Sequence, residues 1–191
     1  GRLGLWGISW GGFNSLQIAA LRPPGLGAIM TLCSTDDRYA DDVHYRGGCV
    51  LGLDMLHWAS SMLTWNARPP DPRLYGDGWR DAWLARLETL EPWIEHWLGH
   101  QRRDGYWQHG SVCEDYAAIE CPVYAVGGFA DGYTNAVPRL LAGLSGPRKG
   151  VFTVERSGDF DITDGAFLPG GDLLLLERSF SIGSGVRMRM R

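Results

Sequence analysis

Leu3-Gly4-Leu5-Trp6-Gly7-Ile8-Ser9-Trp10-Gly11-Gly12 joins a short apolar run to a pair of glycines through a single serine. Residues 3–6 predict a buried strand that ends at Gly7. Beyond Gly11-Gly12, the side chains of Phe13, Leu16, Ile18, Ala20 and Leu21 predict a largely apolar helix, which Pro23-Pro24 stop. Residues 26–33, Leu-Gly-Ala-Ile-Met-Thr-Leu-Cys, predict a second buried strand. Strand, turn, helix and strand in this order make the βαβ unit of a parallel sheet, and so the fold class is α/β.

Working outward, residues 34–48 are acidic and irregular, with Asp36, Asp37, Asp41, Asp42 and His44. Helical spacing follows at 51–65 and, beyond a proline-rich link (Pro69-Pro70-Asp71-Pro72), at 81–90, where Trp83, Leu84, Leu87 and Leu90 share one side. Another helix is expected at 91–98, with Pro92 in its first turn, and a further one at 111–118. Residues 34–120 therefore read as a helical insertion between sheet strands. Residues 122–126 return to a buried strand, the loop Gly127-Gly128-Phe129-Ala130-Asp131-Gly132 follows, and 135–144 predict a helix.

After Pro147 the style changes. A strand is expected at 151–155, a polar turn region at 158–165, and a hairpin through 166–168, 169–172 and 173–178. This turn-rich spacing suggests antiparallel β structure of the kind seen in a propeller blade. The three arginines of Val186-Arg187-Met188-Arg189-Met190-Arg191 alternate with apolar residues, as on one charged face of a strand. None of the nine tryptophans lies beyond Trp107.

The chain has 191 residues, 45% of them hydrophobic and 21% charged, which suits a globular protein with a real core. A net charge of −4 gives no argument for a nucleic-acid partner. No apolar run reaches membrane-spanning length, and no signal peptide is visible in a sequence that opens on Gly1-Arg2-Leu3. The four cysteines (Cys33, Cys49, Cys113 and Cys121) form no C-x-x-C pair, which argues against zinc. Asp36, Asp37, Asp41, Asp42 and His44 fit no metal template, and a loop paired with Arg38 is the simpler reading. Asp159, Asp161 and Asp164 are out of register for a calcium loop. No metal and no cofactor is expected.

Gly7-Ile8-Ser9-Trp10-Gly11 has the form G-x-S-x-G between an apolar strand and an apolar helix. That setting is a nucleophile elbow, in which a sharp turn exposes a serine oxygen and glycines let strand and helix pass closely. The helix N-terminus favours developing negative charge, and the backbone N–H of Trp10 would be an oxyanion-hole donor. Asp131, on a loop after a later strand, occupies the chain position of a triad acid, whose role is to orient an imidazole. An ordinary turn at Ser9 and a solvated Asp131 are the plain alternatives.

Residues 1–149 resemble the cocaine-esterase and X-prolyl dipeptidyl-peptidase-like group of α/β-hydrolases. The resemblance rests on Gly4-Leu5-Trp6-Gly7-Ile8-Ser9-Trp10-Gly11-Gly12, Ser34-Thr35-Asp36-Asp37-Arg38-Tyr39 and Gly127-Gly128-Phe129-Ala130-Asp131-Gly132-Tyr133. It implies a catalytic nucleophile at Ser9, a triad acid at Asp131, and a helical cap inserted between them. It also implies cleavage of small ester, amide or peptide substrates, including acyl-amino-acid and X-Pro compounds. The implied organisation is hydrolase core at 1–33, helical cap at 34–120, core again at 121–149, and a β-rich tail at 150–191. Within the tail, residues 151–180 resemble the β-rich domain named for the esterase-like activity of phytase.

A triad in this chain order requires a histidine after Asp131, and none follows it. His44, His57, His96, His100 and His109 all precede it. Where the family places that histidine, Gly146-Pro147-Arg148-Lys149-Gly150 runs on into the tail. His44 and His109, in the expected cap, are the candidates for a substitute base. Two readings remain open: a serine hydrolase working through an acyl-enzyme on Ser9, or a truncated or fused fragment that keeps the elbow without its base. The second would be inactive or a binding module.

Overall fold

A computed structural model describes residues 1–146, 150, 151 and 153–191, which divide into two compact units, 1–149 and 150–191. In the first unit, β1 (Leu3–Ile8), α1 (Trp10–Ala20) and β2 (Leu26–Leu32) form the predicted βαβ unit. A third strand, β5 (Val123–Val126), pairs in parallel with β2, giving the sheet order β1-β2-β5. Ile8 is level with Leu32, and Leu32 with Val126, so all three strands end on one edge. This is a partial α/β-hydrolase sheet.

One sheet face carries the core. Leu16 and Ala19 of α1 pack with Ile29, Val112, Ile119 and Leu140, and Leu5, Val123 and Ala125 join from the strands. The other face remains apolar and open, with Trp6 76%, Ile8 61% and Tyr124 40% exposed. Parallel sheets usually bury both faces, which is why the sequence of these strands reads as continuous apolar runs with no alternation.

The residues between β2 and β5 are mainly helical. A two-residue ladder, β3 (Tyr45–Arg46) with β4 (Cys49–Val50), precedes α2 (Gly52–Asn66). Then come α3 (Pro72–Tyr75), α4 (Trp79–Glu88), α5 (Trp93–Gly99) and α6 (Gly105–His109). The helix expected at 111–118 is instead two short 3-10 turns, Val112–Glu114 and Tyr116–Ala118. Asp115 ends the first turn and caps the second by accepting from Ala117 N–H at 3.0 Å, the competition with helix that Asp side chains offer. Tyr45, Met55, Ala59, Trp97 and Trp107 form a second apolar cluster here. After β5, α7 (Ala136–Gly143) returns over the first core through Leu140.

The second unit is an antiparallel sheet of β6 (Asp161–Phe167), β7 (Leu173–Ser181) and β8 (Gly185–Met190). Of the strand expected at 151–155, the described residues 151 and 153–155 are not in strand. The polar stretch around Asp161 is the start of β6 and not merely a turn. Glu177 on β7 is fully buried and ion-paired with Arg189 at 2.6 Å and Arg191 at 2.9 Å. The alternating arginines thus face a buried carboxylate, and Arg189 also lies 4.0 Å over the Phe160 ring. Among the described residues no helix is long and apolar enough to cross a membrane.

Candidate active site

Ser9 sits between β1 and α1 with φ 52° and ψ −116°. A side-chain-bearing residue in that left-handed region is strained, and such strain concentrates where a side chain must be presented. Two hydrogen bonds hold it there. Ser9 N–H donates to Leu32 O at 2.8 Å, and Ser9 O accepts from Phe13 N–H at 3.0 Å. Ser9 is exposed, and its hydroxyl makes no hydrogen bond to a described residue.

Gly7 and Gly12 make the turn possible. A Cβ on Gly7 would lie 2.6 Å from the Gly11 Cα and carbonyl oxygen, and one on Gly12 would lie 2.7 Å from Ser34 Oγ. Gly11, which the sequence reading paired with Gly7, has open space around its own Cβ position. Its contribution is the backbone that Gly7 touches.

Trp10 opens α1, so its N–H belongs to the first turn, whose donors have no helical acceptor. Its indole packs at 5.2 Å on Trp58 and 5.3 Å on Trp93, the latter edge-on. Trp10 remains 42% exposed, which leaves an aromatic shelf beside Ser9. The tryptophans of α2 and α5 lie in stretches of helical spacing, and no local signal in the sequence shows that they converge on Trp10.

Asp131 lies on the loop after β5, its N–H donating to Gly128 O at 3.1 Å. The ends of β1 and β5 are two strand spacings apart, about 10 Å, with Cys33 at the end of β2 between them. Cys33 has φ 45°, and its thiol is pushed up by burial and by the neighbouring Asp131 carboxylate. Asp131 Oδ2 is buried and has no hydrogen-bond partner among the described residues. A buried carboxylate oxygen without a donor is costly, and an imidazole N–H is one group that would satisfy it.

The Asp131 loop is tied down on both sides. Arg46 Nη2 donates to Gly132 O at 2.7 Å, and Tyr133 Oη donates to Asp42 Oδ1 at 3.3 Å. The Tyr133 ring meets Phe13 of α1 edge-on at 5.4 Å. Asp42 is fully buried and also accepts from Arg38 Nε at 2.5 Å and pairs with His44 Nδ1 at 2.9 Å. Burial works to raise its carboxyl, but the His44 hydrogen bond and the charges of Arg38 and His44 outweigh that and hold it below the usual range. Asp36, also buried, is gripped by Arg139 of α7 at 2.5 Å, and Arg139 reaches Asp41 at 2.8 Å. The acidic loop is therefore an internal framework joined to the helix after Asp131. Arg38 was the one partner legible from the sequence. Arg139 and Tyr133, 103 and 91 residues from their carboxylates, carried no local signal.

None of the five histidines bonds the Ser9 hydroxyl. His44 is buried against Trp97 at 4.2 Å and Trp107 at 5.2 Å, with its Nε2 unpartnered. His96 pairs with Glu91 and His100 with Asp104, while His57 and His109 are exposed. Among the described residues no group of three or more His, Cys, Asp or Glu could hold a metal ion.

Comparison with solved structures finds an aminopeptidase from the marine sediment archaeon Thaumarchaeota archaeon, with a TM-score of 0.52 and 19% identity. The match covers 74% of this chain and 25% of that one, so the chain spans about a quarter of the aminopeptidase, and the likeness is one of fold. No curated protein matches the chain. The family model of X-Pro dipeptidyl-peptidase (S15 family) matches residues 1–155, and the chain belongs to that family.

Proposed function

We propose that this chain carries the nucleophile and the acid of a serine hydrolase that cleaves peptide, amide or ester bonds. The observation that carries the reading is the strained, exposed Ser9 on the same sheet edge as a loop whose Asp131 carboxylate has a buried, unpartnered oxygen. Ser9 Oγ attacks the substrate carbonyl and its proton passes to a base. The Trp10 N–H holds the resulting oxyanion. Collapse expels the protonated amine or alcohol and leaves an acyl-enzyme, which water hydrolyses. Asp131 orients the base and stabilises its charged form. The shelf of Trp10, Trp58 and Trp93 suits a flat apolar substrate group, such as the proline ring of an X-Pro peptide. In this reading residues 1–33 and 121–149 are core, 34–120 a cap that supplies the shelf, and 150–191 a tail.

A second reading is favoured by one observation: no imidazole among the described residues bonds the Ser9 hydroxyl. These 191 residues then hold the elbow and acid without a base, and turnover falls to the residual level left by binding and oxyanion stabilisation. A fluorophosphonate probe decides between the two. Labelling that disappears in Ser9→Ala establishes an activated serine. Absence of labelling at a probe concentration that saturates an ordinary serine hydrolase establishes the base-less site.

A further inference from the structure

We propose that a cavity beside Arg38 binds a carboxylate carried on a flat apolar group, a site that goes beyond the Ser9 reading and does not depend on it. The cavity holds about 450 Å³ and is lined by Arg38, Trp97, Tyr106, Trp107, His109 and Gly110 among others. That volume falls within the range of small-molecule sites. Trp97 and Trp107 are 8% and 3% exposed, so their rings are fixed walls, and Tyr106 packs edge-on against Trp107 at 5.0 Å. Rigid aromatic walls recognise planar apolar groups at small entropic cost.

Arg38 gives the cavity its polarity. Its Nε is committed to Asp42, and its guanidinium carbon lies 4.5 Å over the Phe13 ring. Nη1 and Nη2 have no acceptor among the described residues, and 18% of the side chain remains open. The guanidinium is thus held by a buried carboxylate and a ring, and two of its N–H-bearing nitrogens are not otherwise engaged among the described residues. A planar fork of that kind matches a carboxylate. His109, exposed and without a partner among the described residues, adds a second donor. Among the described residues, no acidic one lines the cavity. Asp42 is fully buried behind Arg38, and Asp104 is occupied by His100 at 2.7 Å and by the Tyr106 N–H at 3.0 Å. The cavity therefore presents fixed aromatic surface beside one arginine and one histidine. Its ligand is an aromatic acid or the C-terminal aromatic residue of a peptide, which share this chemistry.

Isothermal titration calorimetry tests it on the whole chain carrying Ser9→Ala, so that no hydrolysis intervenes and the outcome is independent of the serine's reactivity. The probes are phenylpropionate, phenylpropionamide, Ala-Ala-Phe and Ala-Ala-Phe amide. At least one acid is expected to bind tenfold or more tightly than its amide, about a factor of ten being what one charge-assisted pair contributes. Tighter binding of the peptide acid assigns the site to a chain terminus, and tighter binding of phenylpropionate to a free acid. Arg38→Gln should abolish the preference for acid over amide. Because Arg38 also supports Asp42, His109→Ala serves as the second variant. His109 lines the cavity and is exposed, so its loss should weaken acid binding while leaving the Arg38–Asp42 pair in place. Equal affinity for acid and amide, no binding of either acid, or acid binding unchanged in both variants overturns the proposal.

Discussion

Gly7 and Gly11 are so close that a Cβ on Gly7 would come within 2.6 Å of the Gly11 Cα, backbone that has no rotamer by which to move away. The strand leaving the sheet and the helix entering it cross at this contact, and Ser9 is displayed between them. Gly7→Ala must push β1 and α1 apart. We expect a loss of about 2–3 kcal/mol in urea denaturation, the cost of overpacking against backbone. Gly11→Ala meets nothing within 4 Å and replaces a helical glycine, so it should be neutral or gain up to about 1 kcal/mol. Equal effects of the two substitutions would show that the crossing is looser than described.

Arg139 joins the helix after Asp131 to the loop after β2 through Asp36 and Asp41. Asp36 is 1% exposed, so removing the guanidinium leaves a buried carboxylate with Tyr116 as its remaining side-chain donor among the described residues. Arg139→Ala should cost about 3 kcal/mol or more, as for a buried pair that loses one member. Tyr116→Phe, which removes one hydroxyl donor, should cost about 1 kcal/mol. Chemical denaturation of the two variants gives the ranking, and a milder effect of Arg139→Ala than of Tyr116→Phe would contradict it.

The strand–turn–helix around Ser9 and the βαβ unit are legible because apolar runs and glycines act locally from Leu3 to Cys33. The loop around Asp36 was not. Its five ionisable residues suggested a solvated segment paired with Arg38. Their burial depends on Arg139 and Tyr133, brought in by a crossover of about ninety residues or more. The same distance hid the convergence of Trp10, Trp58 and Trp93, whose helical spacing speaks only of packing. At 111–118 a helical tendency lost to Asp115, whose carboxylate bonds the backbone N–H of Ala117. In the tail, the alternating arginines announce a strand face but not Glu177, their buried partner on the neighbouring strand β7.

The four cysteines are free thiols with different surroundings. Burial raises Cys33, Cys113 and Cys121, with neighbouring aspartates adding to the first two and Cys113 pushed up to about 12. Cys49 is exposed. Since the thiolate is the reactive form, limiting iodoacetamide near pH 8 should label Cys49 at least about tenfold faster than the other three. Peptide mass spectrometry over a time course reads this directly. Early modification of Cys33 would mean that the Asp131 carboxylate does not sit against the thiol.

Asp42 links Arg38, His44 and Tyr133, and its carboxyl is held below the usual range in the folded chain. A carboxyl with a depressed folded value adds stability above its unfolded pKa, about 3.9, and loses it as pH falls through the folded value. The contribution is therefore whole at neutral pH and shrinks from about pH 4 downward. Asp42→Asn removes the titrating group together with the ionic hydrogen bonds to Arg38 and His44. At pH 7 the variant should be less stable by about 3 kcal/mol, the scale for a buried pair that loses one partner. Below about pH 4 the two denaturation midpoints should draw together, because the wild-type carboxyl is then becoming neutral as well. A stability gap that stays constant from pH 7 to pH 3 would mean that Asp42 does not carry this charge in the fold. The Tyr133 hydrogen bond that steadies the Asp131 loop would then have to be held by a neutral acid.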